Sequence, residues 1–542
     1  MKTKVLVFVS LACCLLLTGC PDLFTTTTTT TTTSSTTTTS TTTTSTTTST
    51  TTTTTVLEPL VAIGDGAEVS LARFNGTSIY SLVTATPDDK PESNYAPNNV
   101  DHPAATYEYE ITSAEPAILG RYTSQNLARN TAAEIRNPIQ GQAGMDLIMR
   151  ADGQRLLKNK AKRPPARISQ SKDIAPPIVV GTLWDDVYVM DFAADTQVQI
   201  STECGYVSDH AFFFVDTRDL TSIDEYLAGY GTAFDTIYDI CRDKFSAEAD
   251  VDGNGKVIVI ISQEITGGVL GYFSPTDKFA EGTYIRHSNE GDIFYVTGDI
   301  SAHGPEGEVA ATLAHEFQHM IYFDTLERLG VENSYDWLDE ALSQASEYYT
   351  GYIEGEHEGW IRSFLVSFGK DYNPTLKTAR YGLSLTHWSS RNYGYGAIFM
   401  HYLIDQFGDE AIKTFYTSGE IGITAVETAT DMDFNDLFID FSCALVMSGT
   451  GDSTDPRYEF TSLDLPAIQP LGRKGLLPFD GAYDGIIDLN VQDPEDYWYS
   501  YEIYPYSIEF DVWGGTFGTL KLEGIDVLTG PYVTGTAFGL SR

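Results

Sequence analysis

Two shortages in the sequence limit what the protein can do, because positive charge and cysteine are both scarce. Lysine and arginine number 33 against 75 aspartate and glutamate residues, which leaves a net charge of −42. Such an excess of negative charge repels nucleic acid and anionic membrane surfaces, so neither is expected as a partner. The six cysteines include no Cys-x-x-Cys pair, so a zinc site in this chain has to use histidine and carboxylate ligands.

Long apolar runs are absent beyond the N-terminus. The run from Val5 to Leu17 follows Lys2 and Lys4 and is shorter than the roughly 20 residues of a membrane span, so it predicts a removable signal. The "LTGC" that ends at Cys20 resembles a bacterial lipobox, which implies cleavage before Cys20 and a lipid on its thiol. The alternative is an ordinary secretory signal with an incidental cysteine. Both predictions place the mature protein outside the cytoplasm, and the first anchors it to a membrane of the bacterial cell envelope through the lipid alone.

Cysteines beyond that point allow one disulfide at most. They are Cys204, Cys241 and Cys443. A bond between Cys204 and Cys241, which lie in one segment, is one prediction, and three buried thiols that act as small apolar side chains are the other.

Composition divides the chain into six segments. The signal (1–19) precedes a tether (20–55) in which every residue from 25 to 55 is Thr or Ser, so it has nothing to bury. Short alternating apolar runs predict β-rich domains at both ends, 56–112 and 448–542. The stretch 113–174 holds Gly, Pro and the basic run "LLKNKAKRPPARISQSK", which indicates a linker or a processing region where a propeptide is cleaved. Segment 175–447 alternates strand and helix patterns and forms an α+β domain.

The chemistry centres on "VAATLAHEFQHMIYF", residues 309–323. His315 and His319 lie four positions apart on a predicted helix, so both imidazoles project from one side and can reach one ion. Glu316 is turned away from a direct bond to that ion but can reach a water molecule on it, which suits a general base. The opposite face has apolar residues at helical spacing: Val309, Leu313, Phe317 and Met320.

A third ligand is predicted in "SYDWLDEALSQASEYY", residues 334–349, where Asp339 and Glu340 compete. If Asp336 caps the helix, Asp339 falls at N3, where the helix dipole favours an acid without any metal. Glu340 has no such local role and a longer side chain. We therefore assign Glu340, which gives a two-histidine, one-glutamate zinc site with an open fourth position, as in catalytic rather than structural sites.

These motifs resemble a known enzyme family. "HEFQHMI" followed by "WLDEALS" is similar to the gluzincin metallopeptidases, and the ordered phrases "ADVDGNGKVIVII", "GYFSPTDKF", "SNEGDIFYV" and "NYGYGAIFMHYLIDQFG" resemble the hyicolysin family of bacterial neutral metallopeptidases. The resemblance spans roughly residues 180 to 410. It implies a gluzincin-like α+β domain with His315, His319 and Glu340 as zinc ligands and Glu316 as catalytic acid/base. Gluzincins often have Gly after the ligand Glu, whereas Ala341 stands here.

The oxyanion of such a reaction needs a hydrogen-bond donor opposite Glu316. Tyr393 is one candidate, because "YGYGA" (393–397) resembles the stretch that supplies a transition-state tyrosine in related gluzincins. His387, upstream in "LTHWSSRNYG", is the rival. Aromatic packing is the alternative role for either residue.

A second ion is predicted at "DVDGNG". Asp250, Asp252 and Asn254 occupy positions 1, 3 and 5 of a calcium loop, with Gly255 at the turn position. Position 12 is Ile261 instead of the bidentate glutamate, so a tight turn that leads into the strand "KVIVIIS" is the simpler interpretation.

Three functions are consistent with these patterns. The leading prediction is a lipid-anchored zinc endopeptidase that acts on protein or peptide substrates. The first alternative is an adhesin or binding lipoprotein with an inactive peptidase fold, against which an intact Glu316 argues. The second is an aminopeptidase, which is disfavoured because no Gly-x-Met-Glu-Asn stretch occurs upstream of His315.

Overall fold

The structure is a computed structural model that describes most of the chain beyond residue 140 and separate strands before it. The described residues are 60–63, 68–70, 78–86, 90–92, 105–112, 141–162, 164, 174, 177–265, 267–299, 307–352, 356–369, 384–386, 392–449, 454–465, 487–488, 497–503, 506, 508–514, 519–524 and 533–540. Cys20 and the Thr/Ser tether lie outside them. No helix within this part of the chain has the length and apolar character needed to cross a membrane.

The elements follow one another in chain order. The strands are β1 (Leu60–Ile63), β2 (Glu68–Ser70), β3 (Ser78–Ala85), β4 (Ala105–Thr112), β5 (Leu183–Asp191), β6 (Thr196–Val207), β7 (Ala211–Asp216), β8 (Val257–Ser262), β9 (Gly271–Phe273), β10 (Ile293–Thr297), β11 (Ile487–Asp488), β12 (Tyr497–Ile503), β13 (Ile508–Gly514), β14 (Thr519–Gly524) and β15 (Val533–Leu540). The helices are α1 (Gln142–Lys158), α2 (Leu220–Lys244), α3 (Gly307–Leu329), α4 (Asp336–Thr350), α5 (Glu356–Gly369), α6 (Tyr393–Phe407), α7 (Asp409–Thr414), α8 (Gly422–Thr430) and α9 (Phe434–Met447).

A six-stranded sheet in the order β5-β6-β7-β8-β10-β9 forms the base of the central domain. Strands β7, β8 and β10 run parallel, and α2 makes the crossover from β7 to β8. Every residue of these three strands is buried, which explains their unbroken apolar sequences. Strand β9 pairs antiparallel with β10 and ends the sheet order, so one of its backbone edges faces away from the sheet.

The two faces of the sheet are covered by different cores. Alternate residues of β8 point to opposite faces, so Val259 packs with the helical core while Ile260 packs with the core that includes β5 and β6. Cys204 belongs to the second core and Cys241 to the first, and together with Cys443 they are free, buried thiols. The predicted Cys204–Cys241 disulfide is therefore wrong, because the sheet separates the two side chains.

Strands from both ends of the chain pair with one another. One sheet has the order β1-β15-β3-β13-β11 and another the order β12-β4-β14-β2, so each mixes strands from before residue 113 with strands from after residue 486. Sequence patterns predict these ends as two separate domains, because a local pattern holds no information on such long-range pairing. The predicted linker 113–174 likewise contains helix α1, most of whose side chains are buried or half-buried.

Candidate metal centre and its surroundings

Helix α3 lies in the protein interior and positions the two histidines. Every residue from Val309 to Leu326 is buried, including the predicted core residues Leu313, Phe317 and Met320. A helix that is buried all round needs polar partners for its polar side chains. His315 and His319 find such partners in carboxylates of α4.

Glu340 on α4 completes the candidate metal centre. Its Oε2 lies 3.4 Å from His315 Nε2 and 3.5 Å from His319 Nε2, and the three ligand atoms lie within 4.8 Å of one another. Ligands of a tetrahedral ion at about 2.0 to 2.1 Å are separated by about 3.3 to 3.4 Å, so these separations match two edges of a zinc tetrahedron. The structure thus brings together the three residues that the sequence predicts as ligands.

Unsatisfied polar atoms also indicate an ion. Among the described residues, His319 Nε2 and both carboxylate oxygens of Glu340 have no hydrogen-bond partner, although both side chains are buried. Each such atom costs about 1 to 3 kcal/mol unless something binds it. Burial opposes ionisation of Glu340, but the two imidazoles more than offset it and hold the pKa of Glu340 well below its usual range. The donor set therefore fits a divalent metal ion.

Carboxylates behind the histidines fix their orientation. His315 Nδ1 lies 2.8 Å from Glu347 Oε1, and His319 Nδ1 lies 2.9 Å from Asp339 Oδ1. When Nδ1 donates to a carboxylate, the Nε2 lone pair is left for the metal. Arg150 of α1 donates to Asp339 Oδ2 at 3.1 Å and stabilises that carboxylate.

Asp339 and Glu340 thus divide the roles that the sequence left in competition. Tyr335, not Asp336, stands at the N-cap of α4, so Asp339 moves one position beyond the predicted N3. Neighbouring helix positions are turned about 100° apart. Asp339 can therefore reach the back of His319 while Glu340 faces both Nε2 atoms. Ser343 Oγ lies 3.0 Å from His315 Nε2 but also 2.7 Å from the Glu340 carbonyl, which can take its single proton.

Glu316 lies beside the centre and against the edge of the sheet. It is buried, its Oε2 has no hydrogen-bond partner among the described residues, and burial raises its pKa. A Cβ added to Gly271 of β9 would lie 3.3 Å from Glu316 Cγ and 2.6 Å from Thr312 Cγ2. Glycine at 271 therefore allows β9 to pass directly over α3.

Tyr393, at the first position of α6, lies beside the candidate metal centre. Its ring centroid lies 6.3 Å from that of His315, and its hydroxyl donates to Asp146 of α1. Burial, together with the charge of Asp146, raises the pKa of Tyr393 well above its usual value, so the hydroxyl keeps its proton and can donate. His387 lies outside the described residues.

Small residues bring α4, α5 and α6 into close contact. A Cβ on Gly396 would lie 3.1 Å from Ala341 Cβ, and one on Gly394 would overlap the backbone carbonyl of Trp360. Ala341, which follows Glu340, therefore faces a glycine on α6. This pair keeps the two helices close and holds Tyr393 near the metal centre.

The predicted calcium loop forms a hydrogen-bonded turn. Asn254 donates its side-chain amide to Asp252 at 2.7 Å, and the Gly255 amide donates to Asp250 at 3.2 Å. Asp250, Asp252 and Asp292 have carboxylate oxygens within 4.8 Å of one another, so this acidic group could hold a cation. Asp292 pairs with the buried Lys278. These contacts support the turn interpretation, and calcium binding stays a prediction.

Several residues around the centre escaped sequence reasoning. Glu347 lies seven positions after Glu340, which places it on the same face of α4, so helical spacing could have identified it. Asp146 and Arg150 come from α1, a region interpreted as linker, and no signal near the His315 motif indicates them. His357 lies 3.6 Å from Glu347 and 3.1 Å from His401 and extends this polar cluster inward.

Comparisons with known proteins agree with a metallopeptidase. No protein-family model matches the chain. The chain is 32% identical over 213 residues to a protein named neutral metalloprotease ShpI from Staphylococcus hyicus. The alignment covers 35% of this chain and 45% of that protein, so it spans less than half the length of the relative. The similarity supports a peptidase that uses a metal ion.

Proposed function

We propose that the protein is a zinc endopeptidase. The observation that carries the proposal is the buried group of His315, His319 and Glu340, whose ligand atoms have the separations of a tetrahedral zinc site and include unpartnered lone pairs. The similarity to a protein named a neutral metalloprotease supports it. A structural zinc site has no need of a buried general base, so Glu316 favours an enzyme over a binding protein.

The residues around the centre have distinct roles in this proposal. His315, His319 and Glu340 would hold zinc, which polarises the peptide carbonyl and makes water more acidic. Glu316 accepts the proton of the attacking water at its carboxylate and passes it to the leaving amine. Tyr393 donates its hydroxyl proton in a hydrogen bond to the developing oxyanion.

The substrate backbone would bind along β9. The outward edge of this strand offers the amide and carbonyl of Gly271, and an extended peptide can add to such an edge as a further strand. Because Gly271 lies against Glu316, a peptide in this position would present its carbonyl to the metal centre. Binding through the backbone is compatible with cleavage inside a chain.

Location is proposed from sequence alone. The resemblance of "LTGC" to a lipobox supports a lipid on Cys20, and the Thr/Ser tether would then hold the enzyme away from a membrane of the cell envelope. Replacing Cys20 by Ser tests this location. The protein should move from the membrane fraction to the soluble fraction, and an unchanged distribution would refute the lipid anchor.

Hydrolysis of an unfolded protein tests the function. We expect activity that is lost on chelation and restored by zinc, and a loss of about 10²- to 10⁴-fold in Glu316→Gln. The matched control is Glu332→Gln, an exposed carboxylate beyond the end of α3, which should keep full activity. Equal activity in Glu316→Gln and the parent would rule out the proposed role of Glu316.

A further inference from the structure

Helix α1 presents a polar stripe to the metal centre. Its members recur at every fourth position, which places them on one face of the helix: Gln142, Asp146, Arg150 and Gln154. Asp146 and Arg150 are buried, which is costly for charged groups unless they meet partners. Apolar residues of α1, such as Met145, Met149 and Leu156, pack in the core as well, so core filling does not account for the polar stripe, and its partners indicate its purpose.

Gln142 occupies the free edge of β9. Its side-chain amide donates to the Gly271 carbonyl at 2.8 Å, and its oxygen accepts from the Leu270 amide at 2.7 Å and the Gly271 amide at 3.3 Å. A peptide unit of an added strand would make the same donor and acceptor pair to Gly271. The Gln142 amide thus takes the place of a substrate peptide bond beside Glu316.

The next residues of the stripe contact Tyr393 and two carboxylates of α4. Asp146 accepts a hydrogen bond from the Tyr393 hydroxyl, which the proposed mechanism needs for the oxyanion. It also accepts one from the side-chain amide of Gln142, at 2.8 Å. On α4, Asp339 accepts a hydrogen bond from Arg150 at 3.1 Å, and Asp336 accepts one from Gln154 at 2.7 Å. A substrate cannot use the Gly271 edge or Tyr393 while α1 holds these contacts.

We propose that α1 is a built-in inhibitor that fills the substrate cleft and keeps the chain latent until the helix is displaced. This inference rests on the proposed peptidase function. The described strands before α1 pair with strands at the C-terminal end, so α1 remains attached to the enzyme on both sides. Lys158 and Lys162, at the end of this region, are exposed and would give a peptidase selective for basic residues access to the chain.

The first experiment removes α1 from the folded full-length protein. Recognition sequences for one site-specific protease are inserted between residues 112 and 141 and directly after Lys162. We expect cutting at both sites to raise zinc-dependent hydrolysis of an unfolded protein at least about tenfold. In the uncut chain, Gln142→Ala should raise the rate by about tenfold, because it loses hydrogen bonds that hold the helix in place. Lys158→Ala, an exposed change on the same helix, should leave the rate unchanged.

A binding measurement provides a readout that does not depend on activity. A fluorescent peptide of residues 141–162 is titrated into the doubly cut protein that carries Glu316→Gln, and anisotropy gives its affinity with and without zinc. The peptide should bind the cleft. A peptide with Gln142→Ala and Asp146→Ala should bind at least about tenfold more weakly, whereas the Lys158→Ala peptide should match the parent.

The outcomes separate this inference from the proposed function. If cutting leaves zinc-dependent hydrolysis equal or lowers it, the result overturns the proposal that α1 is an inhibitor and leaves the proposed peptidase function standing. If neither form hydrolyses protein, the proposed function fails. The affinity of the peptide then decides whether α1 occupies the cleft. Binding that depends on Gln142 and Asp146 supports occupation of the cleft, and absence of binding overturns it.

Discussion

The carboxylate behind the first histidine allows a quantitative test of the metal centre. Glu347 Oε1 lies 2.8 Å from His315 Nδ1 and 2.7 Å from Gln344 Nε2, and the side chain is buried. Replacing Glu347 by Gln keeps the shape but removes the charge that strengthens the hydrogen bond to the imidazole. We expect zinc to bind about 10- to 100-fold more weakly, which corresponds to about 1.4 to 2.7 kcal/mol.

Competition with a chromophoric chelator of known zinc affinity measures this change, and circular dichroism shows whether the variant is folded. The matched control is Glu358→Gln on α5, where the carboxylate pairs with Arg362 at the surface and should not affect zinc. A zinc dissociation constant within twofold of the parent for Glu347→Gln would refute the role assigned to this carboxylate.

Three further predictions concern stability and reactivity. Gly394→Ala should lower the free energy of unfolding in urea by about 1 to 3 kcal/mol because its Cβ overlaps the Trp360 carbonyl, whereas Gly359→Ala, with open space around it, should gain up to about 1 kcal/mol. Equal effects would contradict the packing argument. Burial raises the pKa of Glu92 to about 7, so the folded state favours its neutral form and loses stability as pH rises from about 4.5 to 7. The free energy of unfolding of Glu92→Gln should therefore rise relative to that of the parent over that range, by up to about 3 kcal/mol in urea titrations. A difference that does not change with pH would show that Glu92 titrates normally. The three thiols at Cys204, Cys241 and Cys443 should react with a maleimide only after unfolding, since they are buried, and burial raises the pKa of Cys204 to about 11. Labelling of only one thiol in the unfolded protein would indicate a disulfide.

The local pattern of the chain was enough to single out the three residues that the structure brings together. A four-residue separation on one helix determines that His315 and His319 share a side, and this depends only on helix geometry. The choice of Glu340 over Asp339 assumed that Asp336 caps the helix. The structure has Tyr335 at that position instead, although it does place Glu340 at the histidines. Buried apolar strands in 175–447 were predictable for the same reason, because they carry their pattern in consecutive residues.

Contacts between distant segments were decided by the tertiary structure. The disulfide prediction used proximity in sequence, but Cys204 and Cys241 lie in cores on opposite faces of one sheet. The role of Asp339 required knowledge of which face of α4 meets α3.

The sequence by itself determined which residues form the candidate metal group, two histidines and one glutamate with a further carboxylate beside them, because the spacing of side chains along a helix is local. Only the tertiary structure placed α1 over that group and joined the two ends of the chain in common sheets. Such contacts depend on packing between segments more than 100 residues apart, such as Asp146 with Tyr393, which no local pattern encodes.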